Sequence, residues 1–418
     1  MYKKFTLDNK LTLVYENLPF VRSVSFGLWI GTGSRYETQQ KNGISHFIEH
    51  MLFKGTETKT AKDIAMTIEN VGGQINAFTG KECTCFYTKT LDEDLETSME
   101  LISDMLFRSR FDPAYIEAEK KVIGEEISMY EDYPEELVHD MLSETIWSGN
   151  SLSYPILGSH ETISAIKREH LIEHIKSFYV PENSVISVAG NFDEDELIEL
   201  SQKYFGDWKA HNHRKIDSSK PEFIRSMKVK RKETELIHMC LGFPGVKNGD
   251  DNMYSLLTVN NMLGDGMSSR LFQRIREELG LVYSIYSYPS TYRDVGTFVI
   301  YAASSPERYM DVISHIGDEI ISMTREFLSE SDIEKAKNQL KGSYIIGLDS
   351  TSGRMSSMGK SQLMLGQIKT PEEILSSIDK VSVDSVKQII EYVFCSDRAG
   401  FSAIGDIDFD PGLMDKMK

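Results

Sequence analysis

His50-Met-Leu-Phe-Lys-Gly55 and Asn261-Met-Leu-Gly-Asp-Gly266 are one segment written twice, 211 residues apart. Working outward, Ile163 to Ile175 matches Ile378 to Ile390 at an offset of 215, and Gly190-Asn-Phe-Asp193 matches Gly405-Asp-Ile-Asp408 at the same 215. Nearly constant offsets over three separate segments predict two copies of one domain rather than a short local repeat. The joint is expected in Lys209 to Pro221, which is polar and turn-rich between apolar stretches. This predicts domains over 1–212 and 222–418, with His211 and His213 read as solvated joint residues.

Each copy reads as strand, helices, strands, helices. Thr12 to Tyr15 and Val24 to Ile30 are rich in β-branched and aromatic residues, and Gly31-Thr-Gly-Ser34 ends that strand. Helices are expected near 43–54, 60–71, 92–107 and 114–131, and a strand pair runs from Gly72 to Thr90. Strands adjacent in sequence favour antiparallel pairing, so the predicted fold class is α+β. It comprises two tandem homologous domains, each an antiparallel sheet with helices packed on one face.

The first copy carries chemistry that the second lacks. In Gly43-Ile-Ser-His-Phe-Ile-Glu-His-Met-Leu-Phe53, His46 and His50 are one helical turn apart, and Glu49 lies on the same side. Two imidazoles so placed can bind one Zn²⁺, and a neighbouring carboxylate can act as base on a water at the metal. The pattern is H-x-x-E-H. The second copy offers Leu257, Asn260 and Asn261 at these positions, so one metal site per chain is expected.

A third ligand is required, and Asp112 to Tyr130 is its best source. Asp112 and Pro113 start a helix on which Glu119 and Glu126 lie seven apart on one face, whereas Glu125 points about 100° away.

These five positions resemble the pitrilysin-like zinc peptidases, or inverzincins. The resembling branch includes mitochondrial processing peptidase and bacterial relatives of similar length. The resemblance covers essentially the whole chain. It implies zinc on His46, His50 and Glu126, Glu49 as general base, and Glu119 supporting the site behind the ligands. It further implies that Asn76 and Ala77, in the strand Gln74 to Thr79, line the cleft and pair with substrate backbone. In Arg270 to Ser284 it implies an Arg and a Tyr acting on the scissile carbonyl. Arg276 and Tyr283 fit, with Arg274 the alternative arginine because two alignment frames are open. The implied activity is a zinc-dependent endopeptidase that hydrolyses peptides or unfolded segments inside an enclosed chamber. As one pair of domains supplies half of such a chamber, a homodimer is expected. The alternatives are a catalytically silent assembly subunit of a processing-peptidase-like complex, or a lyase using the same motif; the intact motif and the duplicated chain count against them.

Composition sets the class. The chain has 418 residues, 40% of them hydrophobic, with 46 Lys+Arg against 64 Asp+Glu and a net charge of −18. That charge disfavours nucleic acid and anionic membrane surfaces as partners. Four scattered cysteines give no disulfide framework, and Cys83 and Cys85 read as small buried strand residues. No apolar run is long enough to span a membrane, and Met1 to Lys10 has no signal core, so a cytoplasmic location is expected.

Overall fold

Period-two alternation and β-branched content become strands throughout the computed structural model, which describes residues 2–209, 219–325, 329–394 and 398–408. The first sheet contains β1 (Lys3–Thr6), β2 (Thr12–Asn17), β3 (Ser23–Ile30), β4 (Gln74–Thr79), β5 (Thr84–Leu91) and β6 (Ser184–Gly190) in the order β1-β2-β6-β3-β5-β4. The second contains β7 (Met227–Arg231), β8 (Ile237–Gly245), β9 (Ser284–Thr291), β10 (Gly296–Ser304) and β11 (Gly400–Gly405) in the order β7-β11-β8-β10-β9. The central order β6-β3-β5-β4 recurs as β11-β8-β10-β9, which is the duplication seen at the level of topology. The pairings are antiparallel except at β2–β6 and β7–β11, which are parallel.

In the first unit, Val24, Phe26, Leu28 and Ile30 of β3 point to one face, where the helices Ile44–Leu52, Leu95–Arg108, Arg168–Phe178 and Glu194–Phe205 cover them. Phe26, Phe47 and Phe205 are fully buried there. Each such side chain stabilises by roughly 1.5–3 kcal/mol relative to exposure. The opposite face holds Val14, Trp29, Cys85, Val185 and Ala189, and it too is covered. Its cover is the helix Thr351–Leu365, which comes from the second half of the chain.

The second unit is built the same way. Ile237, Met239, Leu241 and Phe243 face one core, and Cys240, Val299 and Tyr301 face another that includes Val138, Met141 and Leu142 of the helix Pro134–Ile146. The compact units are therefore 1–128, 154–218 and 346–370, and 129–153, 219–345 and 371–418. Each takes one helical segment from the other half of the chain, so the second face of each sheet is covered as well as the first. The expected joint, with His211 and His213, lies largely outside the described residues, as does Cys395.

Equivalent serines fasten the exchanged helices. Ser187 on β6 donates its hydroxyl to the Met355 carbonyl, and Ser402 on β11 donates to the Val138 carbonyl, both at 2.7 Å. Close approach needs glycine here: a Cβ on Gly359 would sit 2.1 Å from Trp29 Nε1, and one on Gly27 2.4 Å from Met355 Sδ.

Candidate metal centre

The helix Ile44–Leu52 starts abruptly. Gly43, its N-cap, has φ +91°, and a Cβ there would lie 2.6 Å from the Leu157 carbonyl oxygen. The buried Glu37 carboxylate closes the helix start. It accepts from the Gly43 N–H at 2.7 Å, the Ser45 N–H at 2.8 Å and the Asn42 amide at 2.8 Å. A carboxylate is favoured at this positive end of the helix and satisfies amides that have no intrahelical partner. Phe47, Ile48, Met51 and Leu52 are buried in the core. That packing sets the rotation of the helix and leaves His46, Glu49 and His50 on its polar side.

The two Nε2 atoms of His46 and His50 lie 3.2 Å apart. Glu126 Oε2, on the helix Pro113–Glu131, is 3.8 Å from the first and 3.7 Å from the second. Donor atoms around a tetrahedral ion with bonds of ~2.0–2.1 Å are separated by roughly 3.3–3.5 Å, so this set fits a zinc ion. It is the one such group of His, Cys, Asp and Glu among the described residues. Glu125, one position away, is exposed.

Protonation supports the same reading. Burial and the neighbouring His50 imidazole hold His46 neutral, lowering it to about 3. His50 Nδ1 lies 2.7 Å from Glu119 Oε1. Donation from Nδ1–H to that carboxylate leaves the Nε2 lone pair facing His46 and Glu126. Burial alone would raise the Glu119 carboxyl, but the hydrogen bonds from His50 and the Lys54 ammonium outweigh it and hold it below its usual value. Lys54 Nζ is 2.8 Å from Glu119 Oε2.

Glu49 is half-buried. Burial raises its carboxyl above the ordinary range, and the hydroxyl of Thr79 opposes that by donating to Oε2 at 2.5 Å. Lys54, Thr79 and Glu37 were not singled out in the sequence, because a Lys after a helix, a Thr in a strand and a Glu in a loop carry no periodic signal.

Asn76 and Ala77 lie on β4, the edge strand of the first sheet, which pairs on one side only. The Asn76 side-chain oxygen accepts from the Ala77 N–H at 2.8 Å. Arg274, Arg276 and Tyr283 belong to the second unit. Arg274 pairs with Glu278 at 2.6 Å, the Arg276 guanidinium lies 4.7 Å from the Phe272 ring centre, and Tyr283 is 74% exposed. In the duplicate helix, Met253–Leu263, Asn260 accepts from the Ser287 hydroxyl at 2.7 Å, and Asn260 and Asn261 are both buried.

Comparison with known sequences agrees with two tandem domains of one family. Residues 12–160 match the insulinase family model, peptidase family M16, and residues 165–340 match the peptidase M16 inactive domain. The chain belongs to the M16 peptidase family. An uncharacterized zinc protease of Bacillus subtilis, YmxG, is 43% identical over 96% of this chain and 97% of its own length. One from Streptomyces coelicolor is 36% identical over 97% and 90%. Among solved structures, a protease from Helicobacter pylori superposes with a TM-score of 0.90 at 19% identity, covering 97% of this chain and 99% of that one, and so shares the fold. The family and its named relatives are those of zinc proteases. No helix among the described residues is long and apolar enough to cross a membrane.

Proposed function

We propose that this chain is a zinc-dependent endopeptidase acting on peptides or unfolded segments, with one zinc held by His46, His50 and Glu126. The observation that carries this reading is the convergence of two imidazole Nε2 atoms and one carboxylate oxygen beside a second carboxyl group, Glu49. Zinc at such a site supplies Lewis acidity, which polarises a carbonyl and acidifies water to a pKa of about 7.

The chain supplies the rest. Glu49 accepts a proton from the attacking water and returns it to the leaving amine, so the carboxylate is regenerated in each turnover. Glu119 holds His50 in the tautomer that presents Nε2. Asn76 and Ala77 offer an open strand edge on which an extended peptide can add by main-chain hydrogen bonds, which makes recognition tolerant of sequence.

The exposed Tyr283 phenol, with Arg276 or Arg274, is assigned to steadying the developing oxyanion of a substrate in the partner subunit of a homodimer. A chamber closed between two such subunits would admit unfolded chain and exclude folded proteins.

The test is cleavage of an internally quenched, unstructured peptide by the purified protein. Activity should be abolished by a chelator and restored by stoichiometric zinc. A zinc-loaded, folded protein that cleaves no such peptide would contradict the proposal.

A further inference from the structure

Resting on the peptidase reading above, we propose that Thr79 is a positioning residue that orients Glu49 for proton transfer and ties it to the strand that receives the peptide. Thr79 is the last residue of β4. Its hydroxyl donates to Glu49 Oε2 at 2.5 Å, and among the described residues Glu49 Oε1 makes no protein hydrogen bond. One oxygen is therefore held and the other is left to take the proton.

The backbone of the same residue faces the open edge. Gly80 N–H bonds to the Cys83 carbonyl at 2.8 Å, so even-numbered amides at this end point toward β5. Ala77 N–H instead donates to the Asn76 side-chain oxygen, on the outer side. By antiparallel alternation, Ile75, Ala77 and Thr79 present N–H and C=O to the edge, and their side chains share the face of the metal-bearing helix. Thr79 thus offers main chain to the substrate and side chain to the base.

The duplicate carries an independent version of the brace. Ser287, on edge strand β9, donates to Asn260, which stands where Glu49 stands in the first copy. There the Ser287 N–H is taken by the Gly264 carbonyl at 3.1 Å, and the acid is replaced by an amide. A hydroxyl reaches from edge strand to helix in both units, from positions that are not equivalent in register, while the acid and the open amide occur together in the first.

The experiment compares Thr79→Val and Thr79→Ser, each alone and on the Glu49→Gln background. Valine keeps the β-branched shape of threonine, so the strand is preserved. Thr79→Val should lower kcat about tenfold, the scale expected for losing one hydrogen bond to an ionised group. KM, zinc content and the unfolding midpoint should be unchanged, and Thr79→Ser should restore most of the rate. On the Glu49→Gln background, Thr79→Val should cause no further loss, because the two act as one unit.

An unchanged kcat in Thr79→Val would overturn the proposal. So would a loss that tracks zinc content, or one that persists in full on the Glu49→Gln background. If Glu49→Gln itself is as active as the parent, the peptidase mechanism fails first. If it is inactive while Thr79→Val is unaffected, the role of Thr79 alone fails.

Discussion

Glu119 holds the Nδ1 of His50 at 2.7 Å with one carboxylate oxygen and the ammonium of Lys54 at 2.8 Å with the other. A buried carboxylate shared between a cation and an imidazole stays ionised, and the imidazole keeps its lone pair on Nε2. The proposed metal site therefore has support one layer behind the residues that would hold the ion.

Metal affinity follows from that layering. Glu119→Gln should weaken zinc binding by ~10–100-fold, as changes behind a ligand do. Glu126→Gln should weaken it further, and Glu125→Gln should leave it unchanged. Competition against a chromogenic chelator measures all three. A sensitive Glu125 would shift the ligand frame by one residue.

Much of this was legible in the sequence, for a definite reason. His46, Glu49 and His50 obey helical spacing, and Glu119 and Glu126 obey it two turns apart, so each set could be found from local geometry, while the roles came with the family resemblance. The exchanged helix Thr351–Leu365 did not show itself. Its Gly353, Gly359, Ser356 and Ser357 give it little apolar contrast, and its fit depends on a groove beside Trp29 more than 300 residues away. The parallel pairing of β2 with β6 is likewise set by contacts across the chain, which adjacency in sequence does not report.

The exchanged helix makes a stability prediction. Gly359→Ala places a methyl group against Trp29 and should cost ~1–3 kcal/mol by overpacking. Gly342→Ala, in the helix Glu330–Gly347, meets no atom within 4 Å and should stabilise by roughly 0.5–1 kcal/mol. Chemical denaturation of both variants is the check. Equal effects would mean that the tight contact at Trp29 carries no energy.

Glu37 should matter for the helix start. Glu37→Gln replaces an acceptor oxygen with an N–H₂ and leaves a buried donor unpaired, costing ~1–3 kcal/mol. Burial raises the folded carboxyl of Glu37 above its usual value. Folding then takes up a proton between the unfolded and folded values. The linked stability is present below the unfolded value and is lost as pH rises through the folded one. The gap between parent and Glu37→Gln should therefore widen as pH falls through that window. Stability measured over a pH series would reveal a gap that narrows instead, and that would refute the assignment.

Assembly has its own test. Glu49→Gln chains mixed with Tyr283→Phe chains, after dissociation and reassociation, should recover activity that neither has alone, because a mixed dimer contains one intact composite site. Light scattering that finds a fully active monomer at assay concentration would rule out completion in trans.

The most direct measurement is zinc content and kcat on the same sample of Glu49→Gln. With Glu49 proposed as a base and not a ligand, the variant should hold one zinc per chain and lose at least ~10²-fold in kcat. Full turnover by a zinc-replete Glu49→Gln protein, or loss of zinc along with activity, would contradict the account.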